Sequence, residues 1–193
     1  MRHALRCYRY RLDCRVLYPG AAQTGRWELA AVYSRKKETG LAFGAKYGVS
    51  TVYTSLTELA ASDIPAVYIA SPNAFHYEQS RMMLEAGKHV ICEKPITVTR
   101  EVYEELLQLA AKKGLIYMEA IMMLHQPHLR DIAEALQKIG RITSARLDFC
   151  QLSSKYPAYL RGELPNIFNP QMATGSLMDL GIYCVYPAVA WFG

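Results

Sequence analysis

The chain has no glycine among its first 19 residues, no CxxC pair among its five cysteines, and no apolar run long enough to cross a bilayer. Each absence excludes something. Cys7, Cys14, Cys92, Cys150 and Cys184 are odd in number and unpaired in spacing, which argues against a disulfide framework and suits a reducing cytoplasm. The longest apolar stretch, Leu180 to Gly193, is too short for a membrane span and is interrupted by Pro187, so no membrane partner is expected. Arginines mark the N-terminus without the apolar core of a signal peptide, and Asp13 and the lack of serine there argue against an Arg-rich targeting peptide. The formal charge of +5 is local, because Arg2, Arg6, Arg9, Arg11 and Arg15 against Asp13 supply +4 of it. Nucleic acid is therefore not an expected partner. His125 and His128 have a helical i,i+3 spacing, but Pro127 lies between them and no third ligand is near, so no metal is expected. Internal repeats and low-complexity segments are also lacking.

What is present is a chain of 193 residues, 51% hydrophobic and 20% charged, able to bury a substantial core. From Trp27 onward it alternates strand and helix patterns in the manner of a parallel α/β sheet. Residues 27–33 read as a strand followed by a helix over about 35–47, stopped near Gly48. Ser55-Leu56-Thr57-Glu58 has the spacing of a capping box and opens a short helix. Residues 66–70 are wholly apolar, as in a strand covered on both faces. A helix over about 74–86 ends at Gly87, a residue suited to a left-handed C-terminal position. After the run His89 to Ile96, Thr99 can cap a helix with Glu101 in its first turn and Val102, Leu106, Leu109 and Ala110 on one face, closed by Gly114. Residues 115–119 form the next strand.

Near Ile121 this rhythm changes. An amphipathic stretch over about 127–138 precedes a long segment of strand character, 141–152, and the tail 174–192 reads as a helix that should stop at Pro187. The division drawn is a first domain over 1–122 and a second over 123–193.

Three motifs carry chemistry: Ser71-Pro72-Asn73-Ala74-Phe75-His76, Glu93-Lys94-Pro95, and Gly175-Ser176-Leu177-Met178-Asp179-Leu180-Gly181-Ile182-Tyr183. Lys94 follows a short apolar strand, and ligands of open α/β sheets bind beyond that end of the strands. Read singly, each motif is ordinary: a solvated lysine, an N-cap cluster, a tyrosine packed on a sheet. In this order they resemble the glucose-fructose oxidoreductase / inositol dehydrogenase (Gfo/Idh/MocA) family of nicotinamide-dependent dehydrogenases, from about Gly20 to the last residue. Tyrosine at position 183, where many relatives carry histidine, resembles the branch that includes dihydrodiol dehydrogenase.

The resemblance implies a Rossmann-type parallel-sheet domain followed by the beginning of an α+β open-sheet substrate domain, with most of that second sheet lacking, as in a C-terminally truncated member. Full-length relatives are expected to be homo-oligomers. It implies catalytic roles for Lys94 and Tyr183 in managing the proton, with Asp179 holding the substrate or the lysine. Pro72 and Asn73 would line the nicotinamide-ribose side, with Ser71 and His76 nearby, and Glu93 would orient the lysine, contact the ribose, or stand as a surface carboxylate. Glu119 could close the cofactor pocket. Ser34-Arg35-Lys36-Lys37 stands where NAD-binding folds usually place a carboxylate for the ribose 2′-hydroxyl. Three cations in the first turn of a helix have the wrong sign for its dipole unless an anion sits beside them. The 2′-phosphate of NADP would be that anion, held by Arg35 and the Ser34 hydroxyl beside Lys36; a solvated basic turn is the alternative, and NAD the alternative cofactor.

The missing glycines now acquire meaning, because a dinucleotide fold needs a glycine-rich first turn so that the backbone can approach the pyrophosphate. Residues 1–19 show neither that turn nor a convincing strand beyond Met1–Leu5. Codons for Cys7 through Tyr18, read one nucleotide later, permit Val-Ile-Gly-Thr-Gly-Trp-Ile-Ala-Glu, so residues 6–19 are read as an out-of-frame stretch, with an unrelated basic extension as the alternative. The function expected is hydride transfer between a nicotinamide cofactor and a sugar, cyclitol or diol. The competing readings are an inactive fragment of such an enzyme, which should not bind NADP, and a non-catalytic nucleotide-binding module, which should; lacking the glycine turn and most of the second sheet, the chain itself is expected to be impaired as a catalyst, poorly soluble and without saturable NADP binding.

Overall fold

The computed structural model describes the backbone of residues 3–8 and 12–193, and side chains from Leu17 onward. The chain forms two compact units, Met1–Ala120 and Ile121–Gly193.

The first unit is built on six strands: β1 (His3–Tyr8), β2 (Trp27–Tyr33), β3 (Val52–Tyr53), β4 (Ala66–Ile69), β5 (His89–Glu93) and β6 (Tyr117–Ala120). They form one sheet in the order β3-β2-β1-β4-β5-β6, every pairing parallel. Helices α1 (Leu12–Gln23), α2 (Lys37–Gly44), α3 (Leu56–Ala61), α4 (His76–Glu85) and α5 (Arg100–Lys112) supply the crossovers. The strand expected to begin within Met1–Leu5 runs on to Tyr8, and α1 begins at Leu12, so regular structure enters the stretch 6–19 read as out of frame. The connection, Arg9-Tyr10-Arg11, where the glycine turn was sought, lies outside the described residues.

Burial follows the strand period. All four β4 residues are buried, Val67 and Ile69 in one cluster with Leu59, Met83, Leu84, Val90 and Leu106, Ala66 and Tyr68 in another with Leu29, Val32 and Phe43. An unbroken apolar run is what a strand with both faces covered requires, and each such side chain contributes about 1.5–3 kcal/mol. Helix α1 joins the second cluster through Leu17, Tyr18 and Ala21, with the Tyr18 ring edge-on to Tyr47 at 4.6 Å. Helix α5 buries Leu106 and Ala110, with Val102 and Leu109 half-buried, as its spacing predicts.

The local signals hold in part. Ser55 caps α3 by accepting from the Glu58 N–H, and Gly87 adopts φ 78° after α4. Thr99 occupies the N-cap of α5 without a side-chain cap bond; the Glu101 carboxyl is instead held below the usual range, first by its own backbone N–H and then by the Thr99 hydroxyl.

The second unit contains α6 (Pro127–Leu136), α7 (Tyr156–Leu160), α8 (Ser176–Leu180) and α9 (Ile182–Phe192). Two expectations change here. Residues 141–152 form no strand, because strand geometry needs a paired neighbour and no other strand occurs among the described residues of this unit. Helix α9 continues through Pro187 to Phe192; the ring removes one donor, but it lies on the buried side of the helix. Pro127 opens α6 at its first position, where a missing N–H costs nothing.

Candidate functional site

The strand order places a topological switch point between β1 and β4, which both leave toward the same sheet edge but continue to opposite sides. The segments leaving the C-terminal ends of β2, β4 and β5 carry Ser34-Arg35-Lys36, Ser71-Pro72-Asn73 and Lys94-Pro95, so the parallel sheet gathers these residues along one edge.

After β2, the chain turns through Ser34, which is 6% exposed and donates its N–H to the Tyr53 carbonyl at 3.0 Å. Its hydroxyl accepts the Lys36 N–H at 3.3 Å. Helix α2 starts at Lys37, so Arg35 and Lys36 precede it and both are exposed. This corrects the placing of three cations within the first turn: only Lys37 lies there, beside Glu38, whose charge suits the helix dipole. The α2 helix sits close on β3 because position 40 is glycine; a Cβ there would come within 2.5 Å of Val52 Cγ1.

After β4, Ser71 is buried and its hydroxyl donates to Gln79 Oε1 at 2.7 Å. Pro72 ends its strand-side approach and accepts the Phe75 N–H, and Asn73 opens a single 3₁₀ turn before α4. His76 lies beneath this loop rather than on its surface. It is 0% exposed, with Nδ1 at 2.8 Å from the Pro95 carbonyl and Nε2 at 2.9 Å from the Ser71 carbonyl. One ring therefore ties the loop after β4 to the turn after β5. A neutral imidazole donates to one of these oxygens and a doubly protonated one to both.

After β5 come Glu93, half-buried, and Lys94, half-buried and joined to Pro95 by a cis peptide. The Glu93 carboxylate accepts the hydroxyl of Tyr68, a β4 residue that sequence reasoning passed over. The signal was available: a tyrosine inside a wholly buried strand needs a partner for its hydroxyl. Glu119 stands on β6, where its carboxylate accepts the Ile96 N–H at 2.8 Å. Burial holds that carboxyl above the usual range, while the Ile96 N–H and the Lys94 charge pull it back. Beneath the turn, burial also pushes the Cys92 thiol and the Tyr117 phenol up, which keeps both protonated and apart from acid–base work.

Asp179 and Tyr183 belong to the second unit. Asp179 is in α8 and Tyr183 in α9, on either side of Gly181, whose backbone is helical. A Cβ at Gly181 would lie 2.3 Å from the Leu177 carbonyl oxygen, so glycine permits the join. The Tyr183 ring stacks on Phe149, centroids 4.8 Å apart and planes 20° from parallel. Asp179 borders an open groove with Gln151, Phe168, Pro170 and Leu180.

The polar groups on the first unit's sheet edge fit a dinucleotide: exposed cations and a buried hydroxyl after β2, and backbone and amide groups after β4 beside a lysine. Known proteins point the same way. Residues 15–121 match the family model described as an oxidoreductase family with an NAD-binding Rossmann fold. The chain is 42% identical over 174 residues to the scyllo-inositol 2-dehydrogenase (NADP(+)) IolU of Bacillus subtilis, covering 90% of this chain and 53% of that one. It is 31% identical to the trans-1,2-dihydrobenzene-1,2-diol dehydrogenase of Mus musculus, covering 82% and 46%. Its fold superposes on the crystal structure of KijD10, a 3-ketoreductase from Actinomadura kijaniata in complex with NADP and TDP-benzene, with a TM-score of 0.84 and 25% identity, over 100% of this chain and 58% of that one. The chain spans about half the length of the curated relatives it matches. From the parallel sheet, the residues at its C-terminal edge and the match over residues 15–121, the chain belongs to the Gfo/Idh/MocA oxidoreductase family.

Proposed function

We propose that the protein is an NADP-dependent oxidoreductase, with NAD as the alternative cofactor, that moves hydride to or from the carbinol carbon of a sugar, cyclitol or diol. The observation that carries this reading is Lys94 at the C-terminal end of β5, one strand from the switch point, on a turn tied to β4, α4 and β6. When bound, the cofactor supplies the hydride acceptor or donor at its nicotinamide ring. The chain supplies orientation and proton handling. Arg35 and Lys36, exposed beside the Ser34 hydroxyl, would take the 2′-phosphate through charge-assisted hydrogen bonds. Ser71, Pro72 and Asn73 would border the nicotinamide ribose. The Lys94 ammonium would hydrogen-bond the reacting hydroxyl and favour its deprotonation as hydride leaves carbon, with Tyr183 as proton acceptor or donor and Asp179 holding substrate or lysine. The relatives' names, an inositol dehydrogenase, a dihydrodiol dehydrogenase and a 3-ketoreductase, support a polyol or sugar substrate, and assembly into homo-oligomers accompanies this reading.

A second reading has a specific observation behind it. The connection between β1 and α1 is Arg9-Tyr10-Arg11, with no glycine to let the backbone approach a pyrophosphate. A chain so altered would keep the fold without binding the cofactor. Against it stands the backbone of β1 and α1, a strand and a helix in the order a dinucleotide site uses. Titration with NADP, followed by a panel of cyclitols, sugars and diols, separates the two: cofactor-dependent oxidation of any panel member supports the enzyme, and no saturable binding supports the second reading.

A further inference from the structure

We infer that Glu119 is a positioning residue for Lys94: its carboxylate holds the backbone of the lysine-bearing turn from β6, opposite the grip that His76 exerts from α4.

The turn Glu93 to Ile96 is met by hydrogen bonds from distant elements. Pro95 has no N–H to give, and its carbonyl is met by His76 Nδ1 at 2.8 Å. The next backbone donor, Ile96 N–H, goes to Glu119 Oε1 at 2.8 Å. The Ile96 carbonyl has the Tyr117 hydroxyl at 3.4 Å, and the Ile96 side chain, 8% exposed, packs in the core. These partners stand 19, 23 and 21 residues away in sequence, so other elements hold the turn, beside a local contact of the Cys92 Sγ with the Ile96 carbonyl at 4.0 Å. Of them, Glu119 alone bears a carboxylate, and the Lys94 charge lowers its carboxyl against the larger upward effect of burial. It therefore acts on the lysine by fixing the backbone two residues on. This gives Glu119 a task beside the cofactor-pocket role that the resemblance implies. The role in catalysis rests on the reading of Lys94 above, but the positioning itself is open to test without turnover.

The test uses amide hydrogen exchange and carboxyl titration by NMR on the whole 193-residue chain. In Glu119→Ala, exchange at the Ile96 amide should rise about tenfold, the worth of one hydrogen bond, while Val67 and Ile69 in β4 keep their protection. Glu119→Gln retains an acceptor oxygen and should hold Ile96 near its original rate. In Lys94→Met the Glu119 carboxyl should titrate at higher pH than in the parent chain. Unchanged Ile96 exchange in Glu119→Ala, a loss of protection spread equally through β4, or a Glu119 titration indifferent to Lys94→Met would each overturn the inference. Given turnover in the parent chain, Glu119→Ala should lower kcat up to about a hundredfold with NADP affinity unchanged, and Glu119→Gln should restore most of it. Absence of turnover in the parent would count against the proposed function and leave the exchange and titration results to decide the positioning role.

Discussion

The two units spend similar apolar material on different ends. In the first, a parallel sheet offers two faces, and Val32, Val67, Ile69, Leu84 and Leu106 are entirely buried. In the second, Leu152, Leu160, Leu177 and Val189 are between 63% and 77% exposed, and α9 buries Pro187 alone. An apolar residue becomes core only where an element presents a surface to cover it. The lesson extends to the site residues, because the turn that carries Lys94 is held through Glu93, Pro95 and Ile96 by three elements of the sheet unit, whereas the Tyr183 ring stacks on Phe149, itself 43% exposed.

Function should expose this contrast most sharply. Lys94→Ala should lower kcat by roughly two to four orders of magnitude with NADP affinity held within a few-fold, the pattern of a proton-transfer residue. Tyr183→Phe, which preserves the stacked ring and removes only the hydroxyl, should cost less and delete one limb of the pH–rate profile. Near-normal kcat in Lys94→Ala would remove the lysine from the chemistry. For stability, Leu106→Ala should cost about 2–5 kcal/mol in urea denaturation, and Leu177→Ala within about 0.5 kcal/mol. Equal losses would mean that the second unit has a core of its own.

Smaller effects test the polar edge. Arg35→Ala should weaken NADP by about tenfold and leave NAD unaltered; equal losses would make the arginine a solvated residue preceding α2. Glu119 gives a pH dependence of known sign. Its folded carboxyl titrates above the unfolded one, so the folded state binds more protons over that interval, and stability falls as pH rises through it from about 4.5. Glu119→Gln should flatten that fall in thermal melts, and an identical pH slope in the variant would show that burial does not penalise the charge.

Much of the first unit was legible because its signals are local. The apolar run 66–70, the capping spacing of Ser55 and Glu58, and Gly87 after α4 each state their conformation within a few residues. Pairing is not local. Residues 141–152 have strand composition, yet a strand exists only beside another, and no partner strand occurs among the described residues of the second unit. The same limit hid the Tyr68–Glu93 bond and the Glu119 grip on Ile96, which join positions 25 and 23 residues apart. His76 was legible as a residue of the loop after β4 but not as a buried clamp, since no sequence pattern specifies which carbonyls a histidine will meet.

Calorimetric titration of the chain with NADP and NAD tests the central claim, that the edge formed by the segments after β2, β4 and β5 is a nicotinamide dinucleotide site. Against the poor binding expected from the missing glycine turn, and because β1 and α1 are both formed, the account predicts saturable NADP binding with one site per chain and NAD weaker by about tenfold or more. No saturable heat from either nucleotide, in a chain whose far-ultraviolet circular dichroism shows the α/β fold intact, would contradict it.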